Sequence, residues 1–305
     1  MRSRVTEKVF KDMHRYIESN TDENRSMEDV QRLVDDFVKN YNNNIPEYPT
    51  EETAETSDDY LELAYDADTI RDAKKYAKEA LDLDPYNFDA ESLLIDLKTS
   101  DGTKLVRDYA KAVQRATAHM EEEGYFEDDC VGAFWGILET RPYMRLRYRY
   151  VMSLIRCGMV GKAREECVQL LHLCEGDNMG VRFLLMHIYA YFEDEERALA
   201  LHKQFDSYDT TEMLLPLSIL YYKKGNYTKA TQYLKRLNAV NEDLKKFLRI
   251  LTGENVGGFD GFEMEGGYRP ETIEELMVEL GDNYFLFVTT DEYAEWALKK
   301  IKKFK

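Results

Sequence analysis

The run "GMVGKAREECVQLL", Gly158–Leu171, sets a glycine five positions before Ala163, with Cys167 and Leu170 on the stripe beyond it. Two later runs repeat the arrangement. "EDEERALALHKQF" has Glu193, Ala198, His202 and Phe205, and "GNYTKATQYLKRL" has Gly225, Ala230, Leu234 and Leu237. The alanines stand 35 and 32 residues apart. Positions three and four apart share one helix face, and a small residue there lets a second helix approach closely. A turn residue one step earlier reverses the chain. The expected object is therefore a series of antiparallel helix pairs, each stacked on the last.

"DAKKYAKEALDLDPYNFDA", Asp72–Ala90, carries the same device: Ala73, Ala77 and Ala80, then Pro85 to end the helix. Extending its register backwards puts Leu61 and Ala64 in the first helix of that pair. The pattern resembles the tetratricopeptide repeat family over roughly 57–86 and 142–242. The run "FWGILETRPYMR", followed later by "GDNMGVRFLL", also resembles the middle region of the suppressor of tumorigenicity 7 family and related bacterial repeat proteins. That resemblance implies kinship of fold, not an activity. In 88–121 one more pair fits, although Arg107 takes the small-residue position. Between Met120 and Thr140 an insertion, "EEEGYFEDDCVGAFWGILET", breaks the period.

The fold class expected is all-α: a tetratricopeptide-like helical-repeat solenoid with a helical N-terminal segment and C-terminal capping helices. Residues 1–45 read as two helices, with apolar stripes from Val5 to Ile17 and from Met27 to Val38. Residues 46–58 form an acidic linker; no basic residue falls between Lys39 and Arg71. The repeat array spans 59–252, with its insertion at about 121–140. A Gly-rich loop follows at 253–270, anchored by Phe259, Phe262 and Tyr268. A helix pair at 271–305 caps the array, with Thr290 expected as an N-cap and lysines in the last turn.

A formal charge of -18 and a pI near 4.8 disfavour nucleic acid, whose phosphates repel such a surface. The N-terminus lacks the apolar stretch of a signal peptide, and no run is long enough to cross a bilayer. The four cysteines form no CxxC pair, and the histidines have no metal spacing. A cytoplasmic protein with reduced thiols, without metal, cofactor or membrane association, is expected. "GGFDGFEMEGGY" offers acids where a phosphate-cradling loop needs Lys-Ser or Lys-Thr.

The candidate site comes from the repeat register. In "FWGILETRPYMRLRYRY", Phe134–Tyr150, four arginines and five aromatic rings interrupt an acidic chain. Thr140 is expected to cap a helix beginning Arg141–Pro142. Arg145, Tyr148 and Met152 then take positions that the resemblance turns toward a groove, with Arg149 beside them. Phe183 and His187 take equivalent positions in the next pair, and Tyr222 in the one after. Arg and Tyr are enriched in binding hot spots. The expected function is a protein- or peptide-binding scaffold without catalysis, its ligand carrying an apolar anchor and an acidic group. In the bland alternative, the rings are core and the arginines pair with the acidic insertion 121–129. Tyr148, Met152 and Leu184 stand where carboxylate-clamping grooves of the family carry Lys and Asn, so a chaperone-tail ligand is not implied. The enzymatic alternative puts the acidic insertion or the Gly-rich loop near a catalytic site.

Overall fold

The computed structural model describes residues 2–20, 26–43, 48–127, 129–254 and 267–304. Among these residues it is all-α, with no β-strand, as the periodicity requires. The chain divides into two compact units, Met1–Ser153 and Leu154–Lys305.

Unit 1 opens with α1 (Arg2–Ser19) and α2 (Met27–Asn43), which pack on each other. Four helices follow: α3 (Ser57–Asp66), α4 (Ile70–Leu83), α5 (Phe88–Lys98) and α6 (Gly102–Glu122). The α3–α4 pair is the most closely packed in the unit. Ala77 and Ala80 are fully buried, against Ala64 and Leu61 of α3 and Ala90 and Leu94 of α5. Thr56 and Asp59 form a reciprocal capping box at the start of α3. In α6 Arg107 is exposed, while Ala112 and Ala116 are buried. The N-terminal helix is tied to α3 by Lys8–Asp59 at 2.7 Å and Lys11–Asp58 at 3.0 Å. The insertion folds into turns and a 3-10 turn at Phe134–Gly136, before α7 (Arg141–Arg156). Thr140 does not cap α7 with its side chain. Its hydroxyl donates instead to the carbonyls of Phe134 and Ile137, because the 3-10 turn lies within reach.

Unit 2 contains α8 (Val160–Leu173), α9 (Val181–Tyr191), α10 (Glu195–Gln204), α11 (Thr211–Lys223), α12 (Tyr227–Val240) and α13 (Leu244–Leu251). Ala163, Ala198 and Ala230 are all fully buried. Helix α11 packs against its partner α12 and also against α9, the first helix of the preceding pair. That second contact is the stacking the repeat spacing predicts. The C-terminal region is three helices: α14 (Ile273–Asp282), α15 (Tyr284–Phe287) and α16 (Glu292–Ile301). The break at Asn283 was not foreseen. Asp291, not Thr290, caps α16; the Thr290 hydroxyl bonds back to the Leu286 carbonyl. Most of the Gly-rich stretch, including Phe259 and Phe262, lies outside the described residues, as do 44–47, the last two of which belong to the linker; Tyr268 is exposed.

The repeat turns share one geometry. Gly158, Glu193 and Gly225 all adopt positive φ, at 72°, 59° and 69°. Behind each, the next amide reaches back five residues: Met159 to Leu154 at 2.8 Å, Asp194 to Tyr189 at 2.9 Å, and Asn226 to Tyr221 at 2.9 Å. This is a Schellman closure, and glycine adopts it without a Cβ penalty. Glu193 does so under strain. Gly225→Ala should therefore destabilise by ~1 kcal/mol. Glu193→Gly should instead stabilise slightly, by ~0.5 kcal/mol, since strain relief outweighs the added unfolded-state entropy. Paired denaturant unfolding measures both; two changes of the same sign would refute a shared turn geometry.

Candidate functional site

Each unit holds part of the expected groove set. In unit 1, α7 presents Arg145 to two buried carboxylates. Its Nε is 3.0 Å from Asp89 Oδ1, one terminal nitrogen is 2.6 Å from Asp89 Oδ2, and the other is 2.9 Å from Glu7 Oε1. Glu7 and Asp89 are each only 5% exposed. These carboxylates hold the Arg145 guanidinium more firmly charged than usual, although burial alone works the other way. Arg149 pairs with Asp96, which also accepts the Tyr109 hydroxyl at 2.6 Å. Arg145 and Arg149 thus meet acidic partners within the chain, from α1 and α5. Tyr148 and Met152 are half-buried. Of the rings in the same run, Phe134 and Tyr143 are fully buried with Phe126 beside them. Trp135 lies under the Arg141 guanidinium.

An open cleft of about 690 Å³ also belongs to unit 1. Lys11, His14, Arg15, Tyr86, His119 and Glu139 are among its walls. Lys11 is already paired with Asp58, and the His119 ring stacks on Tyr86 at 3.6 Å.

In unit 2, α9 and α11 supply Phe183, His187 and Tyr222, and the C-terminal helices pack against the last two. Phe183 is half-buried beneath the Arg182 guanidinium, 4.2 Å from its ring centre. Arg182 is held in turn by Asp177, whose carboxylate also accepts the Val181 and Arg182 amides that open α9. Tyr222 packs 5.1 Å from Trp296 and 5.5 Å from Tyr293 of α16. His187 is not a surface residue: it is fully buried, facing Glu279 of α14.

The His187 geometry fixes its tautomer. Nδ1 is 2.9 Å from the Phe183 carbonyl oxygen, which only accepts, so Nδ1 carries the proton. Nε2 is left as an acceptor. It lies 3.3 Å from Glu279 Oε2 but has no aligned hydrogen bond. Burial holds the imidazole down to about 4. Glu279 moves the opposite way. Burial first, then the nearby Glu212, Asp282 and Glu275, push its carboxyl well above the usual range. Glu275 is raised by burial and by the nearby Glu212 of α11.

Sequence reasoning missed this carboxyl cluster. The signal available was Glu275 and Glu279 one turn apart beside Ile273 and Leu276, on the flank of an apolar stripe. Among the described residues no group of three or more His, Cys, Asp or Glu is placed to hold a metal ion. Cys167 is buried, which pushes its thiol up and away from reactivity. No helix of the described residues is long and apolar enough to cross a membrane. No family model matches the chain, and no curated protein or solved structure matches it.

Two predictions follow from these charges. Arg145→Ala strands two buried carboxylates and should cost roughly 3 kcal/mol in chemical unfolding. A cost below ~1 kcal/mol would contradict the pairing. In unit 2 the raised Glu279 carboxyl binds its proton more tightly folded than unfolded. Its contribution is thus greatest below the ordinary carboxylate range and is lost as pH rises through the raised value. Glu279→Gln should raise the melting temperature by about 2 °C or more near pH 8, and by less near pH 5. An equal gain at both pH values would contradict the assignment.

Proposed function

We propose that the chain is a non-catalytic binding scaffold of the tetratricopeptide type, whose α9/α11 face receives a helical segment of another polypeptide. One observation carries this reading. Two of the side chains that the repeat register assigns to a groove, His187 and Tyr222, lie against amphipathic helices, here the chain's own α14 and α16. The face is therefore shaped for helices, with Phe183, His187 and Tyr222 as its contact residues. On α7, Tyr148, Arg149 and Met152 are the candidate contacts of unit 1, Arg145 acting as the buried anchor that holds that helix. Partners are protein segments rather than nucleic acid, given the charge of -18. The setting proposed is the cytoplasm.

An enzymatic reading finds some support in His187 and the raised carboxyls, since perturbed groups mark many active sites. Those groups meet in a packed helix interface, however. The cleft in unit 1 is lined by other residues. Substrate access to the perturbed groups is what catalysis would need, so binding is the better-supported function.

Site-specific photo-cross-linking tests it. A photoreactive side chain at Phe183 of the full chain should cross-link to another polypeptide in extract of the native host. The same group at Val168, an exposed position on α8, should not. Equal labelling from both positions, or from neither, would sink the scaffold reading.

A further inference from the structure

The α9/α11 face offers mostly acceptors to whatever lies on it. Glu212 projects a carboxylate and is only 7% exposed. His187 contributes Nε2, fully buried and without an aligned donor. A ligand complementary to this set brings donors or positive charge.

Helix α14 brings the reverse. Glu275 meets Glu212, and Glu279 meets His187 Nε2. The ionisable groups near these two carboxyls are His187 from α9, Glu212 from α11, and Asp282 and Tyr268 from the C-terminal segment itself, while the Glu271 backbone amide donates to Glu275. Asp243, at the start of α13, accepts the Ile273 amide at the head of α14. Carboxylates thus dominate the surroundings. The apolar side of α14 fits well, with Ile273 and Leu276 buried, and Phe285 of α15 packs on Tyr191 of α9. Shape is satisfied while charge is not. The two carboxyls accept hydrogen bonds from the Asn241, Glu271 and Asn283 nitrogens, but no Lys or Arg among the described residues is shown pairing with them.

We propose that the α9/α11 face is a docking surface for a cationic amphipathic helix, with α14 as its internal, charge-mismatched occupant. The partner helix carries Lys or Arg where Glu275 sits, opposite Glu212. One turn later, where Glu279 sits, it carries a side-chain donor for His187 Nε2. Apolar residues at the Ile273 and Leu276 positions seat it. The acidic chain draws such a helix in at long range, and the buried acceptors then discriminate it at contact. This inference rests on the scaffold reading and names the chemistry of its partner.

The test uses the full chain and labelled peptides. One peptide spans residues 268–288 with Glu275→Lys and Glu279→Gln; another is unsubstituted; a third scrambles the first. A tethered segment competes at an effective concentration of order millimolar, so the readout is relative affinity. At near-neutral pH and ~0.15 M salt the substituted peptide should bind at least ~10-fold more tightly than the other two, by fluorescence anisotropy. Glu212→Gln in the chain should reduce that preference to under ~2-fold. A fourth peptide, with Glu275→Gln and Glu279→Gln, leaves the protein unaltered and should lose most of the advantage. The proposal is overturned by equal binding of the substituted and unsubstituted peptides. It is equally overturned by tight binding of the scrambled one, or by a preference that survives both Glu212→Gln and the fourth peptide. In any of these cases a Phe183 cross-link to another polypeptide leaves the scaffold reading standing.

Discussion

Close approach of paired helices at alanine is the constraint on which the rest of the structure depends. Ala77, Ala80, Ala163, Ala198 and Ala230 are fully buried because each lies where a second helix crosses. A larger side chain there forces either a wider axis separation or off-rotamer neighbours. Close contact at the alanines leaves the bulk of the core to the flanking leucines and aromatics. Leu170, Leu234 and Leu237, one and two turns beyond the alanines, are buried for that reason. The turns then have little freedom. A pair held tightly at its alanine must reverse within two or three residues. The left-handed residue at 158, 193 or 225 makes that reversal.

This dependence explains what was legible in the sequence. Alanine spacing and turn residues are local signals, and they located the α3–α4, α9–α10 and α11–α12 pairs from composition alone. Helix ends were read less well. Thr140 and Thr290 look like caps in sequence, yet each hydroxyl finds a nearer carbonyl. A hydroxyl chooses among acceptors by distance, and three-dimensional proximity is not written in neighbouring residues. On α6 Arg107 is exposed, and the buried small residues of that long helix, Ala112 and Ala116, lie further along.

The candidate site was legible by residue type but not by pairing. Arg145 was singled out as a charge in need of a partner, and it has two. They come from positions 138 and 56 residues away along the chain. Periodicity carries no information at such separations. The same limit hid the covering of α9 and α11. The repeat register sets His187 and Tyr222 on one face. That their neighbours are Glu279 and Trp296 depends on where the C-terminal helices dock.

The two buried charge clusters differ in a way that bears on their roles. In unit 1, Arg145 meets Glu7 and Asp89 with matched donors and acceptors, an arrangement that loses heavily if any member is removed. Such a cluster fixes geometry and resists change. In unit 2, Glu212, Glu275 and Glu279 meet with no matching cation among their described bonding partners, and His187 adds another acceptor. A mismatched cluster does the opposite. It weakens the docking of a segment whose apolar side is otherwise well seated, and it makes that docking depend on protons. If stability alone governed this interface, Gln at 275 and 279 would serve better than Glu, because an amide keeps the shape and supplies the missing donors. Carboxyls at both positions are what an interface needs if it is to be exchanged rather than sealed.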